Sequence, residues 1–131
     1  MKDYRIIIKS TVDGETNQVI TFGEVVKEYG ATSVNYVDEE SLNPTRIVIS
    51  SDIVSIIKEG EISTVLTFEK DKTTTSYLST MYGDIPMSLK TTDIVSTESE
   101  HCVNLDLVYL TDMGGEISRF HVSVKAERIA R

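Results

Sequence analysis

The chain has 131 residues, 40% of them hydrophobic and 26% charged, a composition that fits one folded domain with a real core and excludes a disordered segment. Its net charge of −8 works against nucleic-acid binding, because phosphates repel an acidic surface, and no apolar run approaches the roughly 18 residues of a membrane span. A single cysteine, Cys102, excludes an internal disulfide, and the opening MKDYRIIIKS lacks the apolar segment of a signal peptide, so the expected setting is the cytoplasm.

In chain order, the segments YRIIIKS, QVITFGEVV, SVNYVDE, RIVIS, IVSIIK, ISTVLTFE, TTSYLSTM and MSLKTTDIV are rich in β-branched and aromatic residues that suit a pleated surface. GEVVKEYG has the length of two helical turns, but paired valines between glycines favour a strand. CVNLDLVYL has the clearest alternation, with Val103, Leu105, Leu107 and Tyr109 on one face and Asn104 and Asp106 on the other. ISRFHVSVKA repeats it, with Phe120, Val122 and Val124 opposite Arg119, His121 and Lys125. Between these segments, Asp13-Gly14 and Gly114-Gly115 supply the positive φ of tight hairpins. Glu59-Gly60, Tyr82-Gly83-Asp84, Asn43-Pro44 and the polar EKDK at 69–72 mark further reversals.

Many consecutive strands on short connections predict an antiparallel sheet, and a twisted sheet of this size removes its exposed edges by closing. The expected fold is therefore all-β, an antiparallel up-and-down barrel of about 8–10 strands occupying residues 1–131 as one domain. A two-sheet sandwich is the competing architecture.

Asp38, Glu39 and Glu40 form the one run of three carboxylates. Adjacent strand residues diverge to opposite faces, so these groups do not converge as paired-carboxylate hydrolysis requires, and no calcium-loop pattern follows. The expectation is a strand end leading into Asn43-Pro44, with Asp38 on the face of Tyr36 and near a rim where Arg46 or Lys58 supplies a cation. His101 and Cys102, also adjacent, cannot readily form a dyad; His121 would have to approach Cys102 across a strand pair. No zinc-ligand spacing, Gly-rich phosphate loop, dinucleotide fingerprint or nucleophile elbow is present, so no metal and no cofactor is expected. Met81 and Met87 suit either a cavity lining or plain core filling. Arg119, Lys125, Arg128 and Arg131 make the C-terminal segment locally basic.

YVDEE followed by PTRIVI, then VSIIKEGEISTVLTFE, YLSTMYGDIPMSLKT and VNLDLVYL, resembles the YwiB-like family of uncharacterised bacterial proteins over most of the chain. One departure is Lys58, where the family often carries arginine; lysine is a point charge and not a planar fork. The resemblance implies a calycin-type barrel, and barrels of that type, such as lipocalins and fatty-acid-binding proteins, commonly hold a small apolar ligand. The resulting expectation is a small-molecule-binding barrel with Tyr36, Phe68, Tyr77, Tyr82, Leu107 and Tyr109 as lining and Asp38, Arg46 or Lys58 orienting a polar end. The alternative is a filled barrel that acts as an interaction module or a homodimer, with Cys102, Val108 and Leu110 as an outer apolar row. An enzyme ranks lowest, because no acid, base and nucleophile converge.

Overall fold

Ten strands form where the alternation places them. The computed structural model describes residues 3–38, 42–60 and 63–129. In order the strands are β1 (Tyr4–Val12), β2 (Glu15–Glu28), β3 (Ala31–Val37), β4 (Pro44–Ser50), β5 (Ile53–Lys58), β6 (Ser63–Glu69), β7 (Thr73–Thr80), β8 (Gly83–Glu98), β9 (Cys102–Met113) and β10 (Glu116–Arg128). Each pairs antiparallel with its sequence neighbour, and β1 pairs with β10 from Tyr4↔Arg128 to Val12↔Phe120, closing the ring. Closure excludes the sandwich.

The hairpins are set by backbone handedness. Asp13-Gly14 (φ 48° and 91°) and Gly114-Gly115 (65° and 98°) both carry two positive φ values, the geometry whose twist matches that of flanking strands. Tyr29-Gly30 (47° and 79°) is a third such turn, and the GEVVKEYG segment ahead of it is strand throughout as far as Glu28. Pro86 lies within β8 opposite Tyr77.

One face of every strand points into the barrel. Ile6, Val34, Val54, Phe68, Leu89, Leu107 and Ala126 are all 0% exposed, so none touches bulk water or a void able to hold one. Phe68 packs on Tyr109 with ring centroids 4.5 Å apart, and Tyr109 stacks on Phe120 at 4.9 Å. These three rings, from β6, β9 and β10, pack together inside the barrel. Gly23 faces inward between Tyr4 and Tyr36. A Cβ there would collide with the Asn35 carbonyl oxygen and come within 2.7 Å of Ile6 Cδ1, so glycine here permits close packing.

Replacing Gly23 by alanine should therefore cost roughly 3 kcal/mol, the upper end for overpacking a well-filled interior. A urea titration followed by far-UV circular dichroism measures it, and an unchanged midpoint would refute the close approach.

Candidate functional site

The two ends of the barrel differ. One carries the turns at 29–30, 51–52, 70–72 and 99–101. There the long β8–β9 hairpin reaches across the lumen: the Thr32 hydroxyl donates to the Glu98 carboxylate, and Lys27 Nζ donates to the Ser99 carbonyl at 3.0 Å. Val103 (1% exposed), Thr32 (4%) and Ile49 (5%) are sealed beneath these contacts. At the opposite end, with the turns at 13–14, 81–82 and 114–115, the inner wall is wet. Val19, Ile85 and Met113 face inward by register yet are 46%, 43% and 41% exposed. Leu66, Leu78, Phe120 and Val122 on the same inner face are half-buried. We call this wet end the vestibule; Phe120, half-buried on its inner wall, stacks on buried Tyr109, which in turn packs on Phe68.

Tyr36, Asp38 and Lys58 all lie toward the rim of this end. Tyr36 pairs with Thr45, which pairs with Lys58, so all three share the inward face. Burial, then the Asp38 charge, push the Tyr36 phenol up to about 12, and a hydrogen bond with the Thr45 side chain opposes them. The Asp38 amide donates to the Asn43 carbonyl at 3.0 Å and the Leu42 amide to the Asp38 carbonyl at 2.7 Å, the strand-ending turn expected there. Glu39 and Glu40 lie outside the described residues. Phe68, Leu107 and Tyr109 are buried in the filled core, and burial pushes the Tyr109 phenol up to about 12.

Three expected site residues are elsewhere. Arg46 is on the outer face of β4, where its Nε donates to Asn35 Oδ1 at 3.1 Å; it sits one residue from inward-facing Ile47 and so must point out. Tyr77 is 54% exposed on the outer face of β7, and Tyr82, 92% exposed, occupies the β7–β8 turn. Neither lines the interior. Met81 shares that turn, whereas Met87 fills the core. Cys102 stands opposite Glu127 and His121 opposite Val108, so the two do not approach across the β9–β10 pair.

The outer wall carries two features that sequence reasoning missed. Asp106 Oδ1 receives the Ser123 hydroxyl at 2.6 Å and contacts His121 Nε2 at 3.0 Å, and the serine bond first, then the histidine, hold its carboxyl below the usual range against the effect of burial. Alternation puts His121 and Ser123 on one face of β10, but only the register brings Asp106 to them. A nucleophilic relay needs its serine bonded to the imidazole; here the serine is bonded to the carboxylate. The second feature is a groove of about 470 Å³ across β2 to β5, lined by Phe22, Val37, Arg46 and Ile57 among others. Its row continues by register through Ile57↔Val65, Val65↔Tyr77 and Tyr77↔Pro86. No helix among the described residues is long and apolar enough to cross a membrane.

The family described as "Domain of unknown function (DUF1934)" matches residues 4–123, from the first residue of β1 into β10. Among solved structures, the chain is similar to the crystal structure of the ywiB protein from Bacillus subtilis, with 18% identity and a TM-score of 0.87 over 98% of this chain and 93% of that one. At that identity the likeness shows the fold. No curated protein matches.

The two perturbed phenols give a pH signature. Each has a folded-state pKa of about 12 against an ordinary 10.0, so their contribution is fully present below pH 10 and is lost as pH rises toward 12. Tyrosinate absorbance and circular dichroism recorded together should show part of the tyrosine titration coinciding with unfolding in that window. The Tyr36→Phe variant should unfold at higher pH than the parent.

Proposed function

The chain belongs to the DUF1934 family, and we propose that its barrel holds a small, largely apolar ligand in the open end, as a binding protein and not a catalyst. The observation that carries this reading is the wet inner wall. Val19, Ile85 and Met113 face the lumen and stay more than two-fifths exposed, while the other end is sealed. Exposed apolar surface costs about 25 cal/mol per Å² relative to burial, and a concave apolar wall with a few polar groups at its mouth is the usual form of a small-molecule site. Tyr36, Asp38 and Lys58 are those groups: the phenol stays protonated as a donor, and the carboxylate and ammonium orient a polar end.

One other reading has a specific observation behind it. The outer row of Ile57, Val65, Tyr77 and Pro86 is apolar and continuous with the β2–β5 groove; contiguous exposed apolar faces often mark contacts, and this one supports a filled barrel that assembles with a second copy. This row replaces Cys102, Val108 and Leu110 as the surface of that reading, because those three are only part-exposed between polar neighbours.

Native mass spectrometry of protein purified gently from its own cells, compared with an unfolded aliquot, separates the two. Binding predicts a reproducible small-molecule mass that is lost on unfolding. Val19→Asp should abolish it while changing stability by no more than about 0.5 kcal/mol, as for a surface substitution. A bare monomer in every preparation would refute the binding reading. A bare dimer that Val65→Asp dissociates would establish self-assembly in its place.

A further inference from the structure

The β6–β7 pairing differs from every other seam of the barrel. Its ladder covers Ser63↔Ser79, Thr64↔Leu78 and Val65↔Tyr77, although β6 continues to Glu69 and β7 starts at Thr73. Across 66–69 and 73–76 hydroxyls take the place of backbone pairing. Thr74 Oγ1 donates to the Thr67 carbonyl at 2.5 Å, and the Thr67 amide donates to Ser76 Oγ at 3.5 Å. The hairpin tip beyond this window is held by other elements: the Lys70 amide donates to the Asp52 carbonyl at 3.2 Å, the Asp71 amide to the Thr91 carbonyl at 3.0 Å and the Thr91 amide to the Lys72 carbonyl at 3.1 Å.

Two buried residues border this window. Phe68, on the unladdered stretch of β6, is fully buried against Tyr109. Thr91 is the registered partner of Tyr109, at the irregularity between Thr91 and Asp93 of β8. It is 1% exposed, and its Oγ1 has no hydrogen-bond partner among the described residues. An orphaned buried hydroxyl forgoes its bonds to water without replacement. The polar side chains buried among the described residues are Thr21, Thr32, Thr45, Ser76, Thr91 and Thr111, all uncharged.

We propose that window and orphan hydroxyl form one device that extends the binding site. The stretch 66–69 moves outward at the hydroxyl-bridged seam and carries Phe68 off Tyr109. The aromatic stack gives way, and the ligand's inner tip reaches Thr91. That tip is uncharged and has one hydrogen-bonding atom, as in an alcohol, ketone or ester, because no buried charged side chain is there to pair with a carboxylate or an ammonium. The seam is the place for such movement: on its β5 side the stretch keeps a full ladder from Ile53↔Glu69 to Ile56↔Leu66, and on its β7 side only rotatable hydroxyls must exchange partners with water. The inference rests on the binding reading above, so its test has one arm that needs no ligand.

In a Cys102→Ser background, Thr91→Cys and Ala126→Cys place thiols at positions 1% and 0% exposed, the second flanked by complete ladders. Under native conditions an uncharged maleimide should modify the first at least about tenfold faster, because its exposure needs only local opening; equal rates would overturn the window. The ligand arm uses the uncharged naphthyl ketone prodan. Thr91→Val should raise the melting temperature of the free protein, since it removes an orphan, and weaken prodan binding severalfold. A lowered melting temperature would show that an internal water already satisfies Thr91, and unchanged prodan affinity would show that the probe stops short of Thr91; each overturns the anchor. If the parent binds no prodan, the binding reading and the anchor fall together, and the thiol rates still decide whether the seam opens.

Discussion

Everything in this structure depends on the ladder between the first strand and the last. Until β1 pairs with β10, the chain is a long meander with two unpaired edges, which would invite association with other chains. Once Tyr4 lies opposite Arg128 and Val12 opposite Phe120, both edges vanish and each strand has an inside and an outside. The register is unforgiving, because a slip of one residue along β1 would send Ile6 and Ile8 outward and put Arg5, Ile7 and Lys9 in the lumen. Hairpins with two positive φ values hold it, one of them joining β1 to β2 and another joining β9 to β10.

Closure does not decide whether a barrel is hollow. About eight strands enclose an interior just wide enough for side chains to fill, and ten strands need bulk to do the same. Here the bulk is aromatic where Phe68, Tyr109 and Phe120 meet. Toward the sealed end the lumen is filled by aliphatic residues under the β8–β9 hairpin. Toward the other end the filling stops. The difference between the ends comes from strand length as much as from side chains: β8 has 16 residues and β6 has 7, so the long hairpin overhangs one end only.

Alternation made the strands legible because most carry one strongly apolar face. In β9, Val103, Leu105, Leu107 and Tyr109 admit one orientation, and all four are buried. In β7, TTTSYLST offers hydroxyls on both faces, so no pattern fixes the orientation of Tyr77; tyrosine's general suitability for a half-polar interior points it inward, and the structure has it outside. Tyr82 stands in a turn signal, and that signal outweighs its suitability as lining. Arg46 could have been placed from its neighbour, since Ile47 begins the inward set of β4. Other features were never in the sequence to be read. The irregularity that leaves Thr91 unpartnered, the truncated β6–β7 ladder and the convergence of Ser123 and His121 on Asp106 are all matters of register, which periodicity along a single strand does not contain. Gly23 is intermediate: an isolated glycine in a strand signals close approach, but only the fold names Asn35 and Ile6 as what it approaches.

The exceptions to good packing are not scattered. Apolar residues face water on the inner wall at Val19, Ile85 and Met113, a buried hydroxyl lacks a partner at Thr91, and a strand pair gives up its ladder between β6 and β7. Each is a departure that a protein selected for stability alone would correct, and simple corrections exist: a polar residue for Val19, valine for Thr91, a continued register after Val65. Local rules are most often broken where function demands it, with the stability supplied elsewhere. In this barrel it is supplied by the sealed end and by the long β8–β9–β10–β1 ladders. The exposed inner residues lie at the open end, while the unladdered stretch and Thr91 adjoin the 70–72 turn. Tyr109 links the two, touching Phe68 on one side and half-buried Phe120 on the other and standing in register with Thr91. That continuous contact through Tyr109 is the strongest physical argument that they belong to one site.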